Sequence, residues 1–470
     1  MKLIALKNEQ NITSDVDVYV AKMPADLPVG LRSYAQKYFT KNKNIAINIP
    51  FLEKPIILVL LPEEVASDAV FCEKLRLSGH DLLGVLAREE YRAVRFYSVL
   101  SDVHTRMLVE GMLISNYQFL KYKTFEKASF SDFSLYLPLP AEDLYELDTL
   151  VQSVNVARNL VNEPVSTLNT IRFSEELLVL GNEFGFDVNV LNKQQITTLN
   201  MGGLLGVNAG SDVPPTFNIL TWKPENAVNK QPFVLVGKGV VYDTGGYNIK
   251  PGSYMDTMKS DMAGGAAVAG LFCAVAQNKL PVYVIGLIPA TDNRINPTAM
   301  VSDDVLTMMN GMTVEVKNTD AEGRLILADA LVYAQRFLPK LVIDLATLTG
   351  AAARVTGHYG AAMMGNADEY TKKSLMLVGN EVYERLVEFP FWDEFSEDLK
   401  SPIADFKNLG NPEGGASSAG KFLEKFTDYP WLHLDIAGPA FLSTSYRYYK
   451  SGATGFGVRL LYHFLKKQLG

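Results

Sequence analysis

FVLVGKGVVYDTGGYNIKPGSYMDTMKS, residues 233–260, is the stretch on which the reading of the chain turns. It opens on Phe233 to Val236, a continuous apolar β run, and breaks at once into a glycine-rich segment that carries Lys238, Asp243, Lys250 and Asp256, with Asp261 just beyond. A strand that is apolar without alternation is buried on both faces, as in a sheet with helices packed on either side. Two more runs of this kind follow, Val282 to Leu287 and Leu341 to Leu345. The segments between them, Gly264 to Gln277 and Arg324 to Phe337, are apolar nearly all round or on a broad face, as core helices are. The expected fold class is α/β.

Working outward, the first ~140 residues show the same alternation on a smaller scale. Strands are expected at Asp15 to Ala21, Pro55 to Leu61 and Arg92 to Val99, and helices around Leu31 to Phe39, Glu64 to Glu90 and Val103 to Leu120. From Phe125 to Pro140 the chain turns rich in serine and proline (Ser129, Ser131, Ser134, Pro138, Pro140), a linker composition, and a domain boundary is expected there. Ala141 then opens a long helical pattern through Leu160, closed by Asn162 and Pro164.

Bulk composition narrows the function classes. The 470 residues are 48% hydrophobic and 20% charged, the usage of ordinary globular domains, and the formal net charge is -8. No overall positive field draws this chain to phosphate backbones, so nucleic acid is an unlikely main partner. Cys72 and Cys273 stand far apart, with no second Cys or His at a zinc-knuckle spacing, which excludes a disulfide framework and a structural zinc site. MKLIALKNEQ at the N-terminus lacks a signal-peptide core, and no apolar stretch is long enough to span a membrane; a soluble cytoplasmic protein is expected.

Glycine lets backbone and ligand approach closely. Gly237-x-Gly239 after a strand invites a dinucleotide-binding reading, but the third glycine of that fingerprint is replaced by Tyr242 and no helix pattern starts there. A phosphate-binding loop fails as well, because Lys238 is followed by Gly239 and not by Ser or Thr. The second informative segment is NTDAEGRL, Asn318 to Leu325, which sets Asp320, Glu322 and Arg324 two residues apart. Residues so spaced share a face only on extended or irregular backbone. Two carboxylates beside a strongly apolar helix form a costly like-charge cluster unless cations neutralise it, and divalent metal is the natural solution. The histidines, His80, His104, His358, His433 and His463, include no HExxH pair, so the ligands must be oxygens and perhaps an amine. GGASSAG, residues 414–420, misses the nucleophile-elbow pattern at Ala419, which argues against a serine hydrolase.

The two segments together resemble those of the leucyl aminopeptidase (cytosol aminopeptidase) family, whose NTDAEGRL signature stands here without substitution. ARNLVNEP at Ala157 to Pro164, ATLTG at Ala346 to Gly350 and HLDIAGPA at His433 to Ala440 are similar too, so the likeness covers roughly residues 150 to 470. With the boundary drawn from composition, two α/β domains are expected: a smaller N-terminal one over 1–140, which matches the family only in general α/β character, a connecting helix over 141–165, and a larger catalytic domain over 166–470 with a mixed sheet flanked by helices. The resemblance also implies two divalent metals, zinc or manganese. Lys238, Asp243 and Asp261 would bind one of them with Glu322; Asp243 and Glu322 would reach both; Asp320 would serve the second, with a backbone carbonyl as well. Tyr242 and Thr244 depart from the Phe and Ser more usual beside the shared aspartate, but neither is a ligand.

By the same resemblance the activity is that of an exopeptidase releasing leucine-like N-terminal residues by attack of a metal-bridging hydroxide. Lys238 can ligate only as the neutral amine, which requires its pKa to fall from ~10.4 to about 7 or below, at roughly 4–5 kcal/mol. Lys250 and Arg324 would be the non-ligand catalytic residues, Lys250 as an ammonium for the oxyanion and Arg324 as the seat of a bicarbonate base. Asp261 would face the substrate amine, and Met258, Thr347, Leu348, Gly350 and Ala453 would form the side-chain pocket. Peptides with a free N-terminus are the implied substrates and a homohexamer the implied assembly. The alternative on the same scaffold is a DNA-binding architectural or regulatory protein.

Overall fold

The structure, a computed structural model, describes residues 1–6, 12–38, 45–49, 54–61, 67–125 and 132–469. The chain divides into two compact units, residues 1–152 with 443–451, and residues 153–442 with 452–470.

In the smaller unit six strands form one sheet: β1 (Lys2–Ala5), β2 (Val16–Ala21), β3 (Ile45–Ile49), β4 (Ile56–Leu60), β5 (Ala93–Ser98) and β6 (Ser134–Leu137). Their order is β1-β6-β5-β2-β4-β3, parallel throughout except that β3 runs antiparallel to β4. α1 (Val29–Tyr38), α2 (Asp68–Arg88) and α3 (Asp102–Ser115) accompany it. The expected helix from Glu64 starts at Asp68 within the described residues, because the Ser67 side chain accepts from the Val70 N–H and caps the first turn; Glu64 itself lies outside the described residues. α3 ends at Ser115, short of Leu120, with Asn116 as its C-cap.

The stretch read as a linker contains β6. Its residues pair in parallel with both β1 and β5, and Leu135 and Leu137 are fully buried; four residues are too few for their alternation to stand out from serine- and proline-rich surroundings. Ser129 and Ser131 lie outside the described residues. The unit also buries charge. Arg76 Nε meets Glu110 Oε2 at 2.5 Å, Arg447 Nη1 meets Glu73 Oε1 at 2.7 Å, and the Tyr448 hydroxyl donates to Glu73 Oε2 at 3.0 Å. α4 (Ala141–Asn162) follows and stops ahead of Pro164, as expected; the division between the units falls within it.

The larger unit is organised by a nine-stranded sheet. Its strands are β7 (Asp187–Leu191), β8 (Thr216–Trp222), β9 (Phe233–Gly237), β10 (Gly239–Asp243), β11 (Val284–Asn293), β12 (Leu341–Ala346), β13 (Ala361–Gly365), β14 (Leu386–Glu388) and β15 (Trp431–Asp435). They run in the order β14-β13-β15-β12-β9-β11-β8-β7, with β10 paired to β11. The middle strands β15, β12, β9 and β11 are parallel neighbours, whereas β8 and β13 join antiparallel, so the sheet is mixed. β9 and β12 are buried along their whole length, which accounts for their unbroken apolar sequence. β11 runs to Asn293, beyond the expected Leu287, because its last turns of sequence are polar: Thr291, Asp292 and Asn293 are all buried and carry no hydrophobic signal.

α5 (Ala263–Gln277) and α6 (Gly323–Ala334) are core helices, α5 buried from Ala263 to Ala276. Gln335 to Phe337, expected to continue α6, tighten into a 3-10 turn. The arrangement places the chemistry at one edge. Lys238 follows β9, Thr347 follows β12, and Ala437 lies two residues beyond β15, so three adjacent parallel strands deliver their next residues at their carboxyl ends, where ligands bind in open α/β sheets.

Candidate metal centre

Four carboxylates and two lysines converge at this edge. Lys238 Nζ lies 2.8 Å from Asp261 Oδ1 and 2.9 Å from Glu322 Oε1, and donates to the Thr347 carbonyl at 3.1 Å. Lys250 Nζ lies 2.7 Å from Asp243 Oδ2 and 2.6 Å from Asp320 Oδ1. One carboxylate oxygen each from Asp243, Asp320 and Glu322 falls within 4.8 Å of the others, a spacing that one cation or a pair can bridge. Lys238 is 2% exposed and Glu322 1%, so that side of the cluster is held almost without water, whereas Lys250 and Asp320 are half-buried.

The local backbone explains why the segments can meet. Gly245 has φ +87°, and a Cβ there would come 2.5 Å from the Asn248 carbonyl oxygen, so the turn between Asp243 and Lys250 requires glycine. At Gly323 a Cβ would lie 2.6 Å from Lys238 Nζ; the missing side chain is the space the lysine occupies. Asp320 and Glu322 sit on irregular backbone ahead of α6, as their spacing requires, while Arg324 falls inside the first turn of that helix.

Several polar residues that sequence reasoning missed hold the loops. Asn293 Nδ2 donates to Asp243 Oδ1 at 2.9 Å and to the Thr319 carbonyl at 3.0 Å. Thr319 Oγ1 donates to the Gly245 carbonyl at 2.6 Å, tying the two motifs together. Asn408 receives the N–H of Lys317 at 2.8 Å and returns a hydrogen bond to the Asn318 carbonyl at 2.8 Å, so it frames the NTDAEGRL loop from a distant part of the chain. Asp435 accepts from Thr349 Oγ1 at 2.7 Å and from the Leu348 N–H at 3.2 Å, which fixes the loop after β12.

Electrostatics follow from burial and crowding. Burial alone would depress the Lys238 amine, but Asp261, Glu322 and Asp243 outweigh it and hold the group charged, above the ordinary lysine range; Lys250 is raised in the same way, chiefly by Asp243. Asp261 is pushed well up by burial and by its neighbours Glu322 and Asp243, against the pull of Lys238. Asp320 is pushed up to about 7 by burial, with Asp243 and Glu322 adding to the effect. Burial lowers the Arg324 guanidinium to about 10, so it stays charged at neutral pH.

Ionised together, the four carboxylates outnumber the two ammonium groups they pair with, an excess that the raised Asp261 and Asp320 relieve only by taking up protons, and Asp261 Oδ2 is buried with no hydrogen-bond partner. Oxygen donors with one or two amines are a set that divalent cations such as manganese or zinc accept, so these residues fit a metal pair. Arg324 brings the opposite charge to the same site. Its Nη1 donates to the Asn408 carbonyl at 2.8 Å while Nε is buried and unpartnered, which suits a small anion.

The four carboxylates, the two lysines and Arg324 line a cavity of about 660 Å³, together with Met258, Thr347, Leu348 and Gly350. Ala453, expected in the pocket, does not line it. That residue pairs with Phe441 in a short antiparallel ladder, is 1% exposed, and uses its carbonyl to accept from Arg158 Nε at 2.9 Å. Ala437 lines the cavity instead, two residues after Asp435 in the HLDIAGPA segment, where the motif itself could have pointed to it.

An α/β sheet that gathers buried carboxylates and lysines at the carboxyl ends of parallel strands defines a protein built around a cation-binding centre. Residues 155–462 match the catalytic domain of the cytosol aminopeptidase family, and the chain belongs to that family. It is 49% identical over 322 residues to a probable cytosol aminopeptidase of Chloroherpeton thalassium, covering 68% of this chain and 63% of that protein. A Chlorobium limicola relative is matched over 62% of its length, so the chain spans less than two thirds of these curated relatives. A Geobacter sp. relative, also a probable cytosol aminopeptidase, is 41% identical over 84% of this chain and 83% of its own. Among solved structures, the bottromycin maturation enzyme BotP in complex with Mn is similar with a TM-score of 0.87 at 28% identity, over 97% of this chain and 100% of that one. A mutant of tomato leucine aminopeptidase gives 0.87 at 26% identity, over 99% of this chain and 96% of its own. None of these likenesses supports the DNA-binding alternative. Among the described residues no helix is long and apolar enough to cross a membrane.

Proposed function

We propose that this protein is a metal-dependent aminopeptidase that removes single residues from the free N-terminus of peptides, with residues 166–470 as its catalytic domain, 141–165 as a connecting helix and 1–140 as an accessory domain. The observation that carries the reading is the buried carboxylate excess around Lys238 and Lys250, in a cavity of a chain belonging to this family. Lys238, Asp243, Asp261 and Glu322 would hold one divalent ion, and Asp243, Asp320 and Glu322 a second, zinc or manganese. When bound, the pair supplies Lewis acidity and a water acidic enough to be hydroxide at neutral pH.

The chain's own groups do the rest. Lys238 must give up the proton that Asp261 and Glu322 hold on it, so metal loading releases a proton at that nitrogen. Lys250 stays an ammonium and donates to the oxygen of the scissile carbonyl as it gains charge. Arg324 seats and orients a bicarbonate ion, which when bound supplies the general base that no side chain here offers. Asp261 accepts a hydrogen bond from the substrate's uncharged α-amine, whose lone pair would be offered to a metal held there; an acylated nitrogen lacks that lone pair and adds bulk, so it is rejected. Met258, Thr347, Gly350 and Ala437 accept the first side chain, with Leu348 offering backbone contact, and their largely apolar walls favour leucine-like residues. By family resemblance the assembly is a homohexamer in the cytoplasm.

Leu-p-nitroanilide is the test substrate. Hydrolysis that is lost on chelation and recovered with Mn or Zn, with no turnover of the N-acetyl derivative, is the expected result. Cleavage of the acetylated substrate, or full activity in protein shown by metal analysis to be metal-free, overturns the reading. Light scattering at six times the chain mass checks the assembly.

A further inference from the structure

Four cationic side chains line the cavity: Lys238, Lys250, Arg324 and Arg354. The two lysines bridge carboxylates, and Arg324 donates to the Asn408 carbonyl. The side chain of Arg354, an exposed residue, makes no hydrogen bond or ion pair with any described residue. It belongs to α7 (Gly350–Thr356), one helical turn after Gly350, and its Nη1 lies 3.6 Å from the point that a Cβ on Gly350 would occupy. Helical side chains lean toward the N-terminal end of their helix, and here the guanidinium lies over Gly350 and not over the last-turn carbonyls that a helix-closing arginine would bond.

That position matters for substrate. Gly350 is part of the wall expected to receive the first side chain, and because it has no Cβ the guanidinium is open to whatever enters there. Met258, Ala353 and Ala437, which line the same cavity, offer no side-chain acceptor to a planar fork of donors, whereas a carboxylate satisfies it bidentately. An anionic substrate approaching four carboxylates also needs a local positive counterpart, and Arg354 is the lining cation without a partner among the described residues. We propose that Arg354 is a carboxylate-binding group of the substrate cavity, so that peptides carrying a carboxylate next to the scissile bond are preferred over their neutral isosteres. This rests on the aminopeptidase reading and adds a substrate class to it. The carboxylate has two possible sources, the side chain of an N-terminal Asp or Glu and the C-terminus of a dipeptide.

The experiment compares kcat/KM of the metal-loaded enzyme for Glu- against Gln-p-nitroanilide, and for Leu-Gly against Leu-Gly amide, in wild type, Arg354→Gln and Arg354→Lys. The expected result is a preference of about ten-fold or more for the acid in one pair, lost in Arg354→Gln and partly kept in Arg354→Lys. An effect in the first pair identifies the side chain as the source, and in the second the C-terminus. Ratios near one for both pairs in wild type, or a preference that survives Arg354→Gln, overturn the proposal while Leu-p-nitroanilide is still cleaved. Failure of the loaded wild type to cleave Leu-p-nitroanilide defeats the aminopeptidase reading itself, and this inference with it.

Discussion

Each of the two units buries a knot of charge, and the knots are built to opposite rules. In the smaller unit the Glu73 and Glu110 carboxylates meet the Arg76 and Arg447 guanidiniums, one cation for each anion. In the larger unit Asp243, Asp261, Asp320 and Glu322 form ion pairs with Lys238 and Lys250 alone among the described residues, while Arg324 and Arg354 line the same cavity without pairing to them. A balanced knot answers its own desolvation and ties elements together; an unbalanced one destabilises the fold that contains it until something positive arrives. Deficit, more than burial, separates the binding centre from the structural network.

The largest expected effect comes from removing one anion from each knot. Glu322→Gln should lower kcat/KM by roughly 10³-fold or more, because a shared ligand is lost. The metal-free variant should nonetheless melt no lower than metal-free wild type, since one of four crowded like charges is gone. Glu110→Gln should do the reverse: it takes from the buried Arg76 its nearer carboxylate and leaves it Glu73 at 3.5 Å, at up to about 3–5 kcal/mol of stability, while leaving kcat unchanged in the enzyme that remains folded. Denaturation curves and kinetics on both variants decide it, and equal destabilisation of the two would erase the distinction drawn here.

A smaller effect separates the two lysines of the deficient knot. Lys250→Ala should keep both metals and KM while kcat drops roughly 10²–10³-fold, as when one oxyanion donor is deleted. Lys238→Ala should instead lower metal occupancy, with activity partly restored by excess metal. Metal content measured beside the kinetics would reverse these roles if Lys250→Ala proved to be the variant that loses an ion.

The smallest concerns a third charged group, buried beneath the centre. His433 Nδ1 lies 2.6 Å from Asp344 Oδ1, and Trp431 Nε1 donates to Asp344 Oδ2 at 2.7 Å. Burial would lower the imidazole, but the Asp344 charge and hydrogen bond prevail and its pKa is raised. A histidine bound more tightly to its proton in the folded state adds stability that is complete below the ordinary pKa near 6.5 and is lost as pH rises through the raised value. Tm should therefore fall more between pH 6 and 8.5 in wild type than in His433→Gln, by about 2–4 °C at most. Parallel curves would show that this pair contributes no titrating stability.

What could be read from sequence divides along physical lines. β9 and β12 were legible because full burial leaves unbroken apolar runs, and Asp320, Glu322 and Arg324 because like charges beside a core helix need a reason. β11 was truncated in the reading because buried Thr291, Asp292 and Asn293 look like surface until their partners are known. Asn293 and Asn408 act through hydrogen bonds across long sequence separations, for which no periodicity exists. β6 hid among serines and prolines, and Ala437 was overlooked although it stands beside Asp435 in a segment already singled out.

The register of the central strands carries a kinetic consequence. Val342 pairs with both Val234 and Trp431, so the three strand ends that bear Lys238, Thr347 and Ala437 come together only when segments about 200 residues apart in sequence have found one another. Loop closure over such lengths has to precede the contacts that reward it. During refolding, helical signal should therefore return well before catalytic turnover, and a nascent chain that has not yet emitted residues 431–435 should hold no assembled centre. Catalysis in this molecule reports the completion of its slowest pairing.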